Sequence, residues 1–229
     1  MMDERLAVCL ISGGMDSTTA AYLAKRQGFG IIGLHINYGQ RTEERERRCA
    51  RTIAELLGAR EFMEVDIGYL LQIGRSSLTD RSIEVEDYDP SDEDLPTTYV
   101  PFRNANLLSI ATSLAEARGA EAIFIGAQAQ DYSGYPDCRR EFMEAFQRAI
   151  DLGTSPRTHI RLIAPFLEMN KTEILRLGLS MGVPYGQTWS CYRGGDLACG
   201  RCGSCHFRRS AFRELGIEDP LRYEDEGHD

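Results

Sequence analysis

The sequence predicts an α/β protein, with a parallel five-stranded sheet flanked by helices and a small metal-binding segment near its C-terminal end. Short apolar runs at residues 6–11 and 31–37 have the continuous character of strands buried on both faces. Helical patterns separate these runs, as crossovers between parallel strands require. Four of the seven cysteines crowd into residues 191–205, beyond the alternating pattern.

At 229 residues the chain has room for one full α/β domain, alone or with a small appendage. Its 42% hydrophobic and 27% charged residues are ordinary for a globular protein. No apolar run reaches the ~18 residues of a membrane span. Met1-Met2-Asp3-Glu4-Arg5 leads into a run too soon interrupted by glycine for a signal peptide, so a cytoplasmic protein is expected. The net charge of −9 argues against a dedicated nucleic-acid binder, which needs clustered cations. Residues 41–51 are arginine-rich, but Glu43, Glu44 and Glu46 interleave with them. Glu43/Arg47 and Glu44/Arg48 stand four apart, as on a solvated helix face. The expected partners are small molecules, with no stable nucleic acid and no membrane.

In chain order, the strand at 6–11 runs into Ser12-Gly13-Gly14-Met15-Asp16-Ser17-Thr18, after which a helical pattern continues through Lys25. A second strand at 31–37 ends at Tyr38-Gly39-Gln40. A helix over 42–57 stops at Gly58, a plausible left-handed cap. A third strand is predicted at 61–67. Residues 68–98 carry Glu84, Glu86, Asp87, Asp89, Asp92, Glu93 and Asp94 without periodicity, and read as a flap near the site. A helix follows from Arg103-Asn104 to Gly119, then a fourth strand at 121–126. A helix over 139–152 and a fifth strand at 160–166 come next, and a further helix opens at Asn170-Lys171-Thr172-Glu173.

The stretch Leu10-Ile11-Ser12-Gly13-Gly14-Met15-Asp16-Ser17-Thr18-Thr19-Ala20 is the expected anion site. Glycines allow close backbone approach, and the first helical N–H groups point at whatever sits there. Ser12, Ser17 and Thr18 add hydroxyl donors. The same residues also suit a plain strand-to-helix turn with Asp16 or Ser17 as the N-cap. The loop has no lysine of the G-x-x-x-x-G-K-[ST] kind and no G-x-G-x-x-G spacing. Ser-Gly-Gly-x-Asp-Ser resembles instead the pyrophosphate loop of the ATP pyrophosphatase (PP-loop) superfamily, which implies an adenine-nucleotide-hydrolase-like sheet and adenylyl transfer. Ligands of parallel sheets sit beyond the carboxyl ends of strands, where Ser12 and Tyr38 both fall.

Arg103 and Asn104 suit an anionic ligand or a solvated helix end. Lys171 could face phosphates or solvent. In the stretch 127–138, Tyr132 or Tyr135 can stack on a flat ring. Asp131 or Asp137 can accept two hydrogen bonds from a guanine-like edge. The alternative is a Gly-Pro turn with Asp137 capping the helix that follows.

Cys191-x₇-Cys199-x₂-Cys202-x₂-Cys205 offers four thiolates, and four such ligands close a tetrahedral zinc site with no open position, making it structural. His206 is the rival ligand and an iron–sulfur cluster the rival group. Cys9, Cys49 and Cys138 stand apart. These features divide the chain into an ATP-binding core, 1–185, and a zinc-binding extension packed on it, 186–229.

Nearly the whole chain resembles the 7-cyano-7-deazaguanine synthases of queuosine biosynthesis. The resemblance is carried by residues 12–19, Tyr38-Gly39-Gln40-Arg41, Tyr99-Val100-Pro101-Phe102-Arg103-Asn104 and residues 131–139. Lys171-Thr172-Glu173-Ile174, residues 188–192 and the cysteine spacing extend it. Phe102 departs from it, where a small residue is more usual. The resemblance implies that 7-carboxy-7-deazaguanine is adenylated by ATP and aminated by ammonia, and that the amide is adenylated again to give the nitrile. It implies Mg²⁺ on the polyphosphate and a homodimer. In that setting Leu10 through Ala20 and Tyr38 bind ATP, with Asp16, Ser17, Lys171 and Arg103 catalytic. Arg103 and Lys171 neutralise charge, and Asp131, Tyr132, Tyr135 and Asp137 hold the deazaguanine.

Overall fold

The computed structural model describes residues 5–92, 94–128 and 135–224. Five parallel strands, β1 (Leu6–Leu10), β2 (Gly30–Asn37), β3 (Glu61–Asp66), β4 (Ala122–Phe124) and β5 (Arg161–Ile163), lie side by side in the order β3-β2-β1-β4-β5. Between them run α1 (Met15–Arg26), α2 (Glu43–Leu57), α3 (Leu70–Ile73), α4 (Arg103–Arg118) and α5 (Arg140–Gly153). The helices α6 (Lys171–Ser180) and α7 (Gly203–Glu214) follow β5.

The central strands are apolar throughout because both faces are covered. Val8, Leu10, Ile32 and Leu34 face Leu108, Ala111 and Leu114 of α4. Ala7, Cys9 and Ile31 face Ala21 and Ala24 of α1 and Ile53 and Leu57 of α2. Alternate residues of one strand thus enter different cores, which removes the polar positions of a one-sided strand. No helix of the described residues is long and apolar enough to cross a membrane.

Several boundaries differ from the sequence expectation. The α1 helix starts at Met15, so the glycine turn is shorter than the pattern indicated. β5 stops at Ile163, two residues before Pro165, which has no N–H for a ladder. Phe166 turns instead into a small cluster with Ala20 and Ile174. β4 is likewise cut short, and beyond it Gly126 presses on the start of α1. The helix at Glu43–Leu57 has the expected Gly58 cap, at φ 63°.

The acidic stretch 68–98 is fastened down rather than a loose flap, and none of its described residues lines the cavity found below. Arg41 reaches three of its carbonyls, those of Ser77, Asp80 and Ile83. Ser76 and Ser77 are fully buried, and Val85 enters the cluster around the four cysteines. Tyr88 stacks on His206 with ring centroids 4.0 Å apart. The sequence hid this because the anchors are backbone carbonyls met by a distant arginine.

A Cβ on Gly126 would lie 2.6 Å from both the carbonyl carbon of Asp16 and the nitrogen of Ser17, backbone atoms with no rotamer to yield. Gly126→Ala is expected to lower stability by about 1–3 kcal/mol, as overpacking does. Gly153→Ala meets nothing within 4 Å and should stay within about 0.5 kcal/mol of the parent. Urea midpoints of the two variants check the contrast.

Candidate active site

The strand order turns back between β1 and β4, and in a doubly wound sheet the loops at such a switch point diverge and leave a crevice. A cavity of about 270 Å³ opens there, walled by the turn after β1, by Gly126 and Gln128 after β4, and by Tyr38, Arg103, Tyr135 and Lys171.

The turn is shaped by its glycines. Gly13 has φ +83°, and a Cβ on it would lie 2.7 Å from both Cys49 Cβ and the Glu46 carbonyl oxygen of α2. Gly14 is the N-cap of α1 and offers no capping side chain, so the first amides of the helix keep no acceptor of their own. The Ser12 and Ser17 hydroxyls are 2.9 Å apart, and the Ser12 and Gly14 amides donate to them at 3.2 and 3.3 Å. Hydroxyls and helix-start amides therefore gather at one edge of the cavity, an arrangement of donors that suits phosphate oxygens.

Lys171 opens α6, whose start is fixed by a capping box between Asn170 and Glu173. Its ammonium donates to Asp16 Oδ2 at 2.6 Å. The other carboxylate oxygen, Asp16 Oδ1, is buried without a partner. An orphaned carboxylate oxygen beside such donors fits a hard divalent cation. Across the cavity the Arg103 guanidinium lies 5.6 Å from the centre of the Tyr38 ring and donates to its hydroxyl at 3.3 Å. Burial pushes the Tyr38 phenol up to about 12, so it stays protonated.

The expected site residues divide. Leu10, Ile11, Ser12, Gly14, Met15, Asp16 and Ser17 line the cavity, as do Tyr38, Arg103, Tyr135 and Lys171. Gly13, Thr18, Thr19 and Ala20 do not. Thr19 donates to the Met15 carbonyl at 2.8 Å and pairs with Tyr185 at 2.9 Å, and Ala20 belongs to the cluster with Phe166. Asp131 and Tyr132 lie outside the described residues. Asp137 is 3% exposed, and its Oδ2 accepts from the Asn104 amide at 2.8 Å. Asn104 Nδ2 answers by donating to the Asp137 carbonyl at 3.2 Å. Asp137, one of the two carboxylates expected to read the base, is thus held on the first turn of α4 and is not among the residues that line the cavity. It does not cap the helix after it either.

Sequence reasoning missed Gly126, Gln128, Ser190 and Arg208 as lining residues. Arg208 gave no sign in the sequence, where a helical arginine reads as solvated. It is 1% exposed, with Asp219 accepting at 2.8 Å through each oxygen and Thr188 Oγ1 at 2.8 Å.

The sulfur atoms of Cys191, Cys199, Cys202 and Cys205 all lie within 4.8 Å of one another. Cys199 and Cys205 are 3.9 Å apart; a tetrahedral site with bonds of about 2.3 Å has edges of about 3.8 Å. The amides of Cys199, Arg201 and Cys202 donate to these sulfurs at 3.3–3.5 Å. The Cys191 thiol, then those of Cys202 and Cys205, hold Cys199 far below the ordinary thiol range by hydrogen bonding. The donor set fits a closed metal site. His206 stacks on Tyr88 rather than joining it.

A doubly wound parallel sheet with a Ser-Gly-Gly-x-Asp-Ser turn at its switch point defines an α/β protein whose site lies beyond the carboxyl ends of its strands. The chain belongs to the family described as queuosine biosynthesis protein QueC, whose sequence model matches residues 6–216. It is 63% identical to the 7-cyano-7-deazaguanine synthase of Methanoculleus marisnigri over 95% of this chain and 98% of that one. It is 61% identical to the synthase of Methanosphaerula palustris over 96% and 99%. With that of Haloarcula marismortui it shares 54% over 97% of each chain.

Asp137→Ala should destabilise the fold by about 0.5–2 kcal/mol, the cost of a lost helix cap. Asp137→Asn, which keeps an acceptor, should recover most of that in thermal melts. Cys202→Ser should release the metal and lower solubility, since such a site contributes its binding energy to folding. Elemental analysis of parent and variant reads the difference.

Proposed function

We propose that this chain converts 7-carboxy-7-deazaguanine and ammonia to 7-cyano-7-deazaguanine, forming a carbon–nitrogen bond while ATP is cleaved to AMP and pyrophosphate. The family it belongs to and the name its relatives carry support the overall reaction. The observation that carries the mechanism is the cradle at the start of α1, opposite the guanidinium of Arg103. A carboxylate is a poor acylating agent because its oxide leaves badly. Adenylation gives it a better leaving group, and ammonia then displaces AMP to make the amide. A second ATP activates the amide oxygen, and loss of AMP leaves the nitrile. One phosphate cradle can serve both rounds.

In this reading Ser12, Gly13, Gly14, Asp16, Ser17 and Thr18 set the polyphosphate. Thr18, buried with an unpartnered hydroxyl, acts from behind the cavity wall. Tyr38 borders the adenosine. Arg103 and Lys171 balance the charge of phosphates and substrate carboxylate, and Tyr135 flanks the deazapurine with Asp131 and Tyr132. Mg²⁺ at Asp16 supplies screening of the polyphosphate, and zinc at the four cysteines supplies structure. The extension 186–229 belongs to the same folding unit as the core, as the Trp189 amide bonding the Gly13 carbonyl at 2.9 Å supports. A cytoplasmic homodimer completes the proposal.

The test is a quenched time course with separation of bases and nucleotides. 7-Amido-7-deazaguanine with ATP and Mg²⁺ should yield the nitrile without added ammonia, alongside AMP and pyrophosphate. The carboxylate should require ammonia and pass through the amide. ADP and phosphate as primary products, or an inert amide, would refute the scheme.

A further inference from the structure

The proposed reaction carries a proton requirement. Ammonia brings three hydrogens on nitrogen, and a nitrile keeps none. When ammonia displaces AMP, the C–N bond forms, the C–O bond breaks with its electron pair leaving on AMP, and nitrogen sheds one proton. In the second round the amide oxygen bonds the α-phosphorus and pyrophosphate departs. The amide's own C–O bond then breaks, its electron pair leaving on AMP, and the C–N triple bond forms as nitrogen gives up both remaining protons. A base held beside the nitrogen accelerates such steps by roughly 10²–10⁴.

Most titratable groups along the cavity cannot be that base. Burial pushes the Tyr38 phenol up to about 12 and the Cys138 thiol up to about 11, and raises the Tyr135 phenol. Arg103 and Lys171 are cations. Among the described residues two carboxylates line the cavity, Asp16 and Glu46. Asp16 is bound to Lys171 at 2.6 Å, at the phosphate edge.

Glu46 stands in the first turn of α2, and neutral donors hold its carboxylate at two points. Gln40, 4% exposed, accepts from the Tyr38 amide at 2.9 Å with its oxygen and donates to Glu46 Oε2 at 3.1 Å with its nitrogen. Thr42 is the N-cap of α2, yet its hydroxyl makes no cap bond and donates to Glu46 Oε1 instead. An N-cap hydroxyl ordinarily satisfies one of the free amides of the first turn. Diverting one to orient a carboxylate is a local rule broken beside a site, where such breaks concentrate. The position suits the chemistry as well. The Glu46 carbonyl abuts Gly13 of the loop proposed to hold phosphates. Its carboxylate charge acts on the Tyr38 phenol, which also takes a hydrogen bond from Arg103.

We infer that Glu46 is the proton acceptor for the substrate nitrogen, binding ammonia or ammonium in the first round and drawing protons from the adenylated amide in the second. This rests on the reaction proposed above, so the experiment separates the two. Glu46→Gln keeps the shape of the side chain and an acceptor for Thr42, but removes the base. ATP–pyrophosphate exchange with the carboxylate substrate and no ammonia reports adenylation alone. Single-turnover conversion of amide to nitrile reports proton removal. Exchange should stay within about threefold of the parent, while amide and nitrile formation fall by about 100-fold or more. Nitrile formation near the parental rate would overturn the assignment. So would equal loss of exchange in a variant that melts like the parent, because Glu46 would then serve ATP or its cation. Should Glu46→Gln not fold, Glu46→Asp carries the test. Its nitrogen steps should slow by about tenfold or more with exchange kept, and parallel loss or no loss contradicts the inference. A parent enzyme showing neither exchange nor nitrile refutes the reaction itself.

Discussion

Two distant parts of the chain close on Gly13. The Trp189 amide donates to its carbonyl at 2.9 Å, and α2 lies so near that a Cβ would meet Cys49 and Glu46 at 2.7 Å. The turn that gathers hydroxyls and helix-start amides is therefore wedged between α2 and the C-terminal segment, and cannot drift from either. Trp189 is fixed in turn by Arg45, whose guanidinium lies 4.3 Å from the ring centre, and by its own indole N–H on the Cys191 carbonyl at 2.8 Å. A metal held by Cys191 thus stands two residues from the bond that sets the turn. Arg208 and Asp219 brace the same segment from within. A buried pair of this kind adds little net stability, but loss of one partner costs about 3–5 kcal/mol. Its function is to fix one arrangement.

The start of α4 shows a second constraint. Phe102 is an N-cap in the left-handed region at φ 56°, uncommon for a bulky residue. The Tyr99 hydroxyl accepts from its amide at 3.1 Å, Asn106 donates to its carbonyl at 2.9 Å, and Asp137 holds the next turn. These bonds over-determine a strained corner, and that corner aims Arg103 at Tyr38. It also explains why residues 99–104 and 135–138, far apart in sequence, belong together. The second group caps the helix that the first one opens.

The fold was legible because burial on both faces writes continuous apolar runs, as in β1 and β2, and because helix ends such as Gly58 carry their own chemistry. The shape of the turn after β1 was legible for the same reason, since its glycines and hydroxyls are adjacent in sequence. What stayed hidden was made by distant residues. The roles of Asp137, of Arg208 and of Arg41 on the acidic stretch depend on partners 33, 11 and 36 or more positions away. A carboxylate in a motif reads as a ligand contact until the amide it caps is in view.

If the turn after β1 serves two adenylyl transfers, as proposed, each oxygen of the substrate carboxylate departs on AMP. Carboxylate substrate labelled with ¹⁸O at both oxygens tests it most directly, with mass analysis of every phosphorus product. Two adenylyl transfers would leave one labelled oxygen in each AMP, unlabelled pyrophosphate and a nitrile free of label. Label in orthophosphate, in pyrophosphate or in water would contradict them.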